Sequence, residues 1–349
     1  MTPEMARRPD SIGAFTGSTA PDGVSVMICA YNSRLRLEPT LTSLKNQVVP
    51  VGVPWEVVLV DNASSDGTAE FATRFWGAHS VPLRVVREST PGQLYARRTG
   101  MLECRYEFIS WVDDDNWVAN DWVDRVQNVM RAHSEVAVCG SRSEAVFECE
   151  PPPWFAEHAG SYAVGLQAPV SGDVTERGRL WGAGMSVRRA AWAQLHRDGF
   201  QEKLTGRVGS AVNSGCGEDG ELCEELVRRG WRLWYDERLV LQHYMPAGRL
   251  TWNYCRNLYR GFGRGSEVLD RYARARKGQS VPNGRFAEIR HWLHSLALNL
   301  LFLARQRRRI LNWKSAAAVE GDSDVVRIEF VFGALAELLK PIKFWGRRS

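Results

Sequence analysis

Phe108-Ile109-Ser110-Trp111-Val112, followed without interruption by Asp113-Asp114-Asp115, is the stretch that decides the fold. The first five residues read as a buried strand running from Glu107 to Val112. The next three are adjacent carboxylates, which repel one another. A solvated acidic turn, or a helix cap ahead of Trp117, would account for an isolated triplet. At the end of a buried-type strand the arrangement points instead to a divalent cation. Hard oxygen ligands suit magnesium or manganese, and magnesium takes one or two carboxylates and completes its shell with water and phosphate oxygens.

Working outward, the first half of the chain alternates strand and helix. Val24 to Ala30 is a β-branched apolar run that ends at Tyr31-Asn32-Ser33, and Leu37, Leu41 and Leu44 then recur at helical spacing. Trp55 to Val60 is a second strand ending at Asp61. Asn62 to Gly67 form a turn that caps a helix over Thr68 to Trp76, with Asp66 as the cap. Leu83 to Arg87 is a third strand, and a helix opening at Pro91-Gly92 leads back to the quoted stretch. This order predicts an α/β fold with a mostly parallel central sheet flanked by helices. Ligands of such sheets bind beyond the carboxyl ends of the strands, where the three polar turns after Ala30, Val60 and Val112 converge. From Val136 to Tyr244 the pattern is less regular. It closes with a glycine-rich loop ending at Gly217-Glu218-Asp219, a helix over Gly220 to Arg229 and a strand from Trp231.

Composition bounds the function. The 349 residues are 44% hydrophobic and 24% charged, enough for a large globular core, and a formal net charge of +5 is too weak to indicate a nucleic-acid partner. The basic excess is uneven: Arg305, Arg307, Arg308, Arg309, Lys314, Lys340, Lys343, Arg347 and Arg348 lie near the C-terminus. Seven scattered cysteines without a CxxC pair read as reduced thiols in a cytosolic protein rather than a disulfide framework or zinc site. Three regions are expected: a flexible leader over 1–22, a catalytic domain over 23–250, and a helical region over 251–349. Leu293 to Ala304 is too short to span a bilayer, so the C-terminal region is expected either to lie on a membrane from the cytoplasmic side or to pack on the catalytic domain.

Taken together, the segments Val24 to Asn32, Leu59 to Thr68, Gly92 with Ala96 to Gly100, Trp111 to Asn116 and Gly217 to Asp219 resemble the inverting glycosyltransferases of family 2, with the nucleotide-diphospho-sugar-transferase (GT-A) fold. The resemblance implies a nucleotide-diphospho-sugar donor, a UDP-sugar, and a saccharide or lipid-linked saccharide acceptor in polysaccharide or glycolipid synthesis. By position it implies that Ala30, Tyr31, Asn32 and Asp61 form the nucleotide pocket, with Arg97, Asp113 and Asp114 also on the donor. Asp115 and His243 would hold manganese or magnesium. Glu218 and Asp219 would be the catalytic acidic pair, Asp219 being the base. Arg98 departs from the family pattern, which often has asparagine there.

Acceptor recognition is expected at Trp154, Trp181, Gly182, Gly184 and Met185, since aromatic faces stack on sugar rings and small residues make room. An aromatic core with a glycine turn accounts for each of them singly. Likewise, Glu218 and Asp219 could simply favour the positive end of a helix, and His243 could be a hydrogen-bonded core residue. Two rival readings are a sugar nucleotidyltransferase and a non-catalytic carbohydrate-binding protein. The first usually carries a glycine-rich, arginine-bearing loop where Tyr31-Asn32-Ser33 stands, and the second needs no pair of acidic clusters.

Overall fold

A computed structural model describes residues 20–207, 216–282, 284–312 and 320–340. The expected leader up to residue 19, Asn213 to Gly215 of the glycine-rich loop, and the basic residues Lys314, Lys343, Arg347 and Arg348 lie outside the described residues.

The first four strands are β1 (Val24–Ala30), β2 (Trp55–Asn62), β3 (Leu83–Glu88) and β4 (Phe108–Asp113). They alternate with helices α1 (Leu37–Lys45), α2 (Thr68–Trp76) and α3 (Gln93–Glu103). The strands are parallel, in the order β3-β2-β1-β4. Side-chain alternation divides them between two cores. Val26 and Ile28 of β1, with Val57 and Leu59 of β2, pack under α1, α2 and α4 (Trp122–Ala132). Met27, Val58 and Val60 face the opposite cluster with α3, α6 (Arg189–Arg197) and α7 (Glu218–Arg228), while the short α5 (Phe155–His158) belongs to a third cluster. Burial on both faces explains why β1, β2 and β4 are largely apolar runs, while β3, at the sheet edge, is only partly buried. The register sets Ala30 beside Asp61 and Cys29 beside Asp113, so the turns after β1, β2 and β4 leave from one edge.

Beyond β4 the sheet becomes mixed. It continues through β8 (Ser186–Arg188), β6 (Val136–Phe147), β9 (Arg232–Met245) and β5 (Asn116–Val118), with β7 (Gly172–Asp173) against the start of β9. β6 runs parallel to β9, while β8 is antiparallel to β4 and β6, and β5 and β7 are antiparallel to β9. The region that looked irregular in sequence therefore holds the two longest strands. Only Val136 to Cys139 of β6 is a continuous buried apolar run. From Ser141 to Glu144 it is polar, and the apolar run resumes only at Ala145-Val146-Phe147, so the strand gives no even alternation to read.

The C-terminal region is helical: α8 (Trp252–Arg276), α9 (Arg285–Arg305), α10 (Arg307–Asn312) and α11 (Ser323–Leu338). A Cβ at Gly263 would collide with the Phe330 carbonyl, and one at Gly333 with the Arg260 carbonyl, so α8 and α11 cross backbone to backbone. Around that crossing, buried Glu329 accepts from Arg256 Nε at 2.9 Å and Arg260 Nε at 2.8 Å. α8 is fastened to α7 through Arg276 to Glu224 at 3.0 Å and the Tyr272 hydroxyl to Glu221 at 3.2 Å. Among the described residues, no helix is long and apolar enough to cross a membrane.

Candidate active site

A cleft of about 1440 Å³ opens at the carboxyl edge of β1, β2 and β4. Its walls include Ala30, Tyr31, Asn32, Arg97, Asp113, Asp114, Asp115, Trp181, Gly182, Glu218, Asp219 and His243. The loops after β1 and β2 form the floor. Asn32 and Ala63 adopt the left-handed backbone region, with φ of 48° and 58°, a conformation uncommon outside glycine. They are held there by mutual bonds: the Asn32 N–H donates to Ser64 Oγ at 3.0 Å, and the Ser65 N–H donates to Asn32 Oδ1 at 2.9 Å. Asp66 accepts from the backbone N–H of both Thr68 and Arg34, each at 3.0 Å. It therefore ties the two loops together as well as holding the start of α2. Asp61 lies behind the wall, accepting from the Ser64 N–H at 3.2 Å, and Asn62 is the residue exposed to the cleft.

The three carboxylates part ways. Asp114 is bound to Ser33 Oγ and to Arg36 Nη2 at 2.7 Å, while its carbonyl accepts from Thr40 Oγ1 at 3.0 Å; it anchors the loop after β1. Asp113, at the tip of β4, is pushed up to about 6 by burial, against the pull of Arg97. Asp115 alone meets the far strand. Asn116 pairs with His243 across β5 and β9, and the Tyr244 N–H donates to the Asp115 carbonyl at 2.9 Å. That register brings Asp115 Oδ1 to 3.5 Å from His243 Nε2. Arg249 Nη2 lies 2.6 Å from Asp115 Oδ2, and its Nη1 3.2 Å from His243 Nε2. Burial would raise the Asp115 carboxyl, but Arg249, His243 and Arg36 outweigh it and hold the group below its ordinary range. Burial drives His243 down to about 4, so at neutral pH its imidazole is uncharged and keeps a lone pair.

An anionic oxygen and a neutral imidazole nitrogen this close fit a manganese or magnesium ion that draws its other ligands from water and phosphate. Among the described residues, no group of three or more His, Cys, Asp or Glu side chains is arranged to hold a metal by itself. Asp115 and His243 could thus be two ligands of a shell completed by substrate.

The other acidic pair sits in the first turn of α7, two residues earlier in the helix than the sequence pattern placed its start. Asp219 accepts from the Gly182 N–H and the Gly220 N–H, both at 2.8 Å, which fixes its carboxylate at the cleft wall. Glu218 is spent on Arg97, at 2.9 Å. Burial raises the Glu218 carboxyl, with Arg97 opposing. Arg97 also lies over the Trp111 ring, 4.5 Å from its centroid, and a side chain at Gly182 would come within 2.6 Å of Arg97 Nη2. Arg98, the departure from the family pattern, turns away to pair with Glu202 at 2.9 Å and does not line the cleft.

Of the residues expected on the acceptor side, Trp181 and Gly182 line the cleft, and Trp154, Gly184 and Met185 do not. Trp154 is buried in an aromatic cluster with Phe155 and Trp252, its Nε1 donating to Glu320 at 3.1 Å. Met185 is fully buried in the sheet core, and Gly184, at φ +68°, leaves room for Leu241, Ser141 and Trp122. The spacing of small and aromatic residues does not separate a wall from the packing behind it. Sequence reasoning also missed Arg36, Arg207 and Arg249 and the aromatic wall of Tyr254, Tyr259, Phe262 and Phe330, all of which line the cleft. The one available signal was Arg249, a cationic residue six positions beyond His243.

Residues 25–171 match the sequence profile of glycosyl transferase family 2. Among curated proteins, the chain is 30% identical over 102 residues to the glycosyltransferase AglE of Haloferax volcanii, covering 29% of this chain and 33% of that one. It is 27% identical over 116 residues to a cholesterol galactosyltransferase of Borreliella burgdorferi, covering 33% and 31%. The matches thus span about a third of those relatives' length. Among solved structures, a mannosyltransferase from Pyrobaculum calidifontis, in complex with GDP-Man and Mn2+, shares the fold at a TM-score of 0.55 and 17% identity, covering 95% of this chain and 92% of that one.

Proposed function

We propose, from the premise that residues 25–171 are a glycosyltransferase family 2 domain, that the chain moves a sugar from a nucleotide-diphospho-sugar to an acceptor hydroxyl with inversion, using manganese or magnesium. The donor is a UDP-sugar. The observation that carries this reading is that the Asp115–His243 pair and the backbone-anchored Asp219 share one cleft with Arg36, Arg97, Arg207 and Arg249.

In this reading the nucleoside rests on Ala30, Tyr31 and Asn32, with Asp61 bracing the loop from behind, and Asp115 and His243 would hold the cation. A cation held there would supply positive charge against that of a departing diphosphate. On the same wall Arg36, Arg97 and Arg249 are ion-paired with Asp114, Glu218 and Asp115, and Arg207 lies beside them. Asp219 accepts the proton of the acceptor hydroxyl, whose own pKa is far above neutral. Its two backbone bonds leave lone pairs for that task while preventing rotation. Glu218 and Arg97 neutralise each other beside it, so the base does not sit against an unpaired charge. Direct attack from the face opposite the diphosphate inverts the anomeric centre, and one base suffices.

The acceptor enters along Trp181 and the aromatic row Tyr254, Tyr259, Phe262 and Phe330. Rings of this kind stack on sugars and on apolar aglycones alike, which favours a glycolipid or lipid-linked saccharide acceptor. The lipid acceptor named for the Borreliella relative is consistent with that class.

The test is to offer UDP-, GDP- and dTDP-sugars with manganese, with magnesium and with chelator, and to follow nucleoside diphosphate release. Metal-dependent release from a UDP-sugar, and an acceptor product of inverted anomeric configuration by NMR, is the expected result. Pyrophosphate release from a sugar phosphate and a nucleoside triphosphate would replace this reading with nucleotidyl transfer.

A further inference from the structure

Helix α9 is apolar on two sides, and only one is covered. Trp292, Leu296, Phe302 and Leu303 pack on Val331, Leu335 and Leu338 of α11, and Trp292 Nε1 donates to the Leu338 carbonyl at 2.6 Å. Its start is pinned to α8 by Arg271 to Glu288 at 2.7 Å and His291 to Glu267 at 2.7 Å. With the helix so fixed, large apolar side chains are left exposed along its length: Phe286 is 90% exposed, Leu293 54%, Leu298 54%, Leu300 52% and Leu301 49%. A helix that is apolar nearly all round is ordinarily buried all round, so a group of large apolar side chains left in water marks an interaction surface.

Charge selects the occupant. From Arg285 to Leu311 the chain holds six arginines, at 285, 290, 305, 307, 308 and 309, and one acid, Glu288, which is spent on Arg271. Arg309 pairs with Asp322 and Asp324. Arg290 and Arg305 are exposed on the same helix and flank the leucines, Arg290 before Leu293 and Arg305 after Leu301. A second copy of this chain docked there would bring arginine-rich ends against one another, a like-charge contact that opposes self-association. A surface that is apolar inside and anionic at its boundary satisfies both features at once. The uncharged run from Leu293 to Ala304 would reach about 18 Å as a helix, against roughly 30 Å of bilayer hydrocarbon, so the helix lies along the surface and does not cross it.

We infer that α9 is an interfacial helix that seats the protein on an anionic lipid bilayer, leucines in the acyl boundary and arginines at the phosphates. The inference is independent of the reaction assigned to the cleft. It has a consequence for that reaction, because α11, which supports α9, also presents Phe330 to the cleft.

The experiment is flotation of the full chain with vesicles of phosphatidylcholine alone or mixed with phosphatidylglycerol, at low and high salt. The expected result is co-flotation with the mixed vesicles, weakened by salt. Leu298→Glu with Leu301→Glu should lower partitioning at least about tenfold. Arg305→Ser with Arg308→Ser should reduce the salt-sensitive part. Both pairs are surface changes, so melting temperature and donor binding should be unaltered, which separates lost docking from lost folding. Three results would overturn the inference: no flotation of the wild type with anionic vesicles at low salt, equal flotation of the glutamate variant, or a wild-type dimer in sedimentation that the glutamate pair converts to monomer.

Discussion

The two walls of the cleft are built by different physics. The donor wall, from the turns after β1, β2 and β4, is a lattice of short polar bonds: Asn32 to Ser64 and Ser65, Asp66 to Arg34 and Thr68, Asp114 to Ser33 and Arg36. Asp114 has both a cation and a hydroxyl against it, and Asp66 has the Thr68 hydroxyl. The far wall is carried by helices. Its aromatic row comes from α8 and α11, which are joined by a glycine crossing and by arginines converging on buried Glu329. One wall is a preorganised polar surface of the kind that fixes a charged group. The other is a broad apolar face whose shape depends on how two helices dock.

The sharpest way to break the contrast is at the donor wall. Asp115→Asn should reduce turnover about 10⁴-fold by removing the carboxylate that pairs with Arg249 and is proposed to hold the cation, and calorimetry should show that metal no longer strengthens nucleotide binding. Retained metal-linked binding would remove Asp115 from the ligand set. Next, Asp219→Asn should lower kcat about 10³-fold while donor affinity in the same titration stays within error. Near-normal turnover would transfer the role of base to another group.

The far wall answers to a stability probe instead. Glu329→Ala leaves Arg256 and Arg260 facing a vacated, buried position, a loss of about 3–5 kcal/mol. Chemical denaturation should show it, with protection of α8 and α11 amides falling before that of β1 and β2. Uniform loss across both regions would mean the walls are not separable. Smallest is an effect away from both walls. His196, its side chain almost fully buried, is held near 4 by burial and by Arg98 and Arg229, against an ordinary value of 6.5. A histidine depressed on folding contributes stability that is fully present above pH 6.5 and is lost as pH falls from 6.5 toward 4. His196→Gln should flatten the pH dependence in that window by no more than about 3 kcal/mol. Unfolding free energies measured across it, wild type against variant, are the check.

Much of the donor wall was legible before any coordinates. β1 was read as Val24 to Ala30 and found there, because a strand buried on both faces must be apolar throughout and must stop where the polar turn begins. α2 was read as Thr68 to Trp76 for a similarly local reason, the acidic, serine-rich turn before it. β6 was not legible, since the polar stretch Ser141 to Glu144 interrupts its apolar runs. Trp154 and Met185 were read as acceptor contacts because an aromatic or a methionine in a wall looks the same in sequence as one in a core.

The sequence by itself determined the alternation of buried strands and helices, the edge at which the acidic turns gather and the resemblance that those turns carry. All of these follow from local periodicity and from residues adjacent in the chain. Only the tertiary structure decided that the three neighbouring aspartates have three different partners, that Asp115 meets His243 and Arg249, and that α9 keeps leucines outside. Those outcomes depend on the register of β5 against β9 and on the docking of α11. Both bring together residues far apart along the chain, and no pattern within a single segment encodes such a contact.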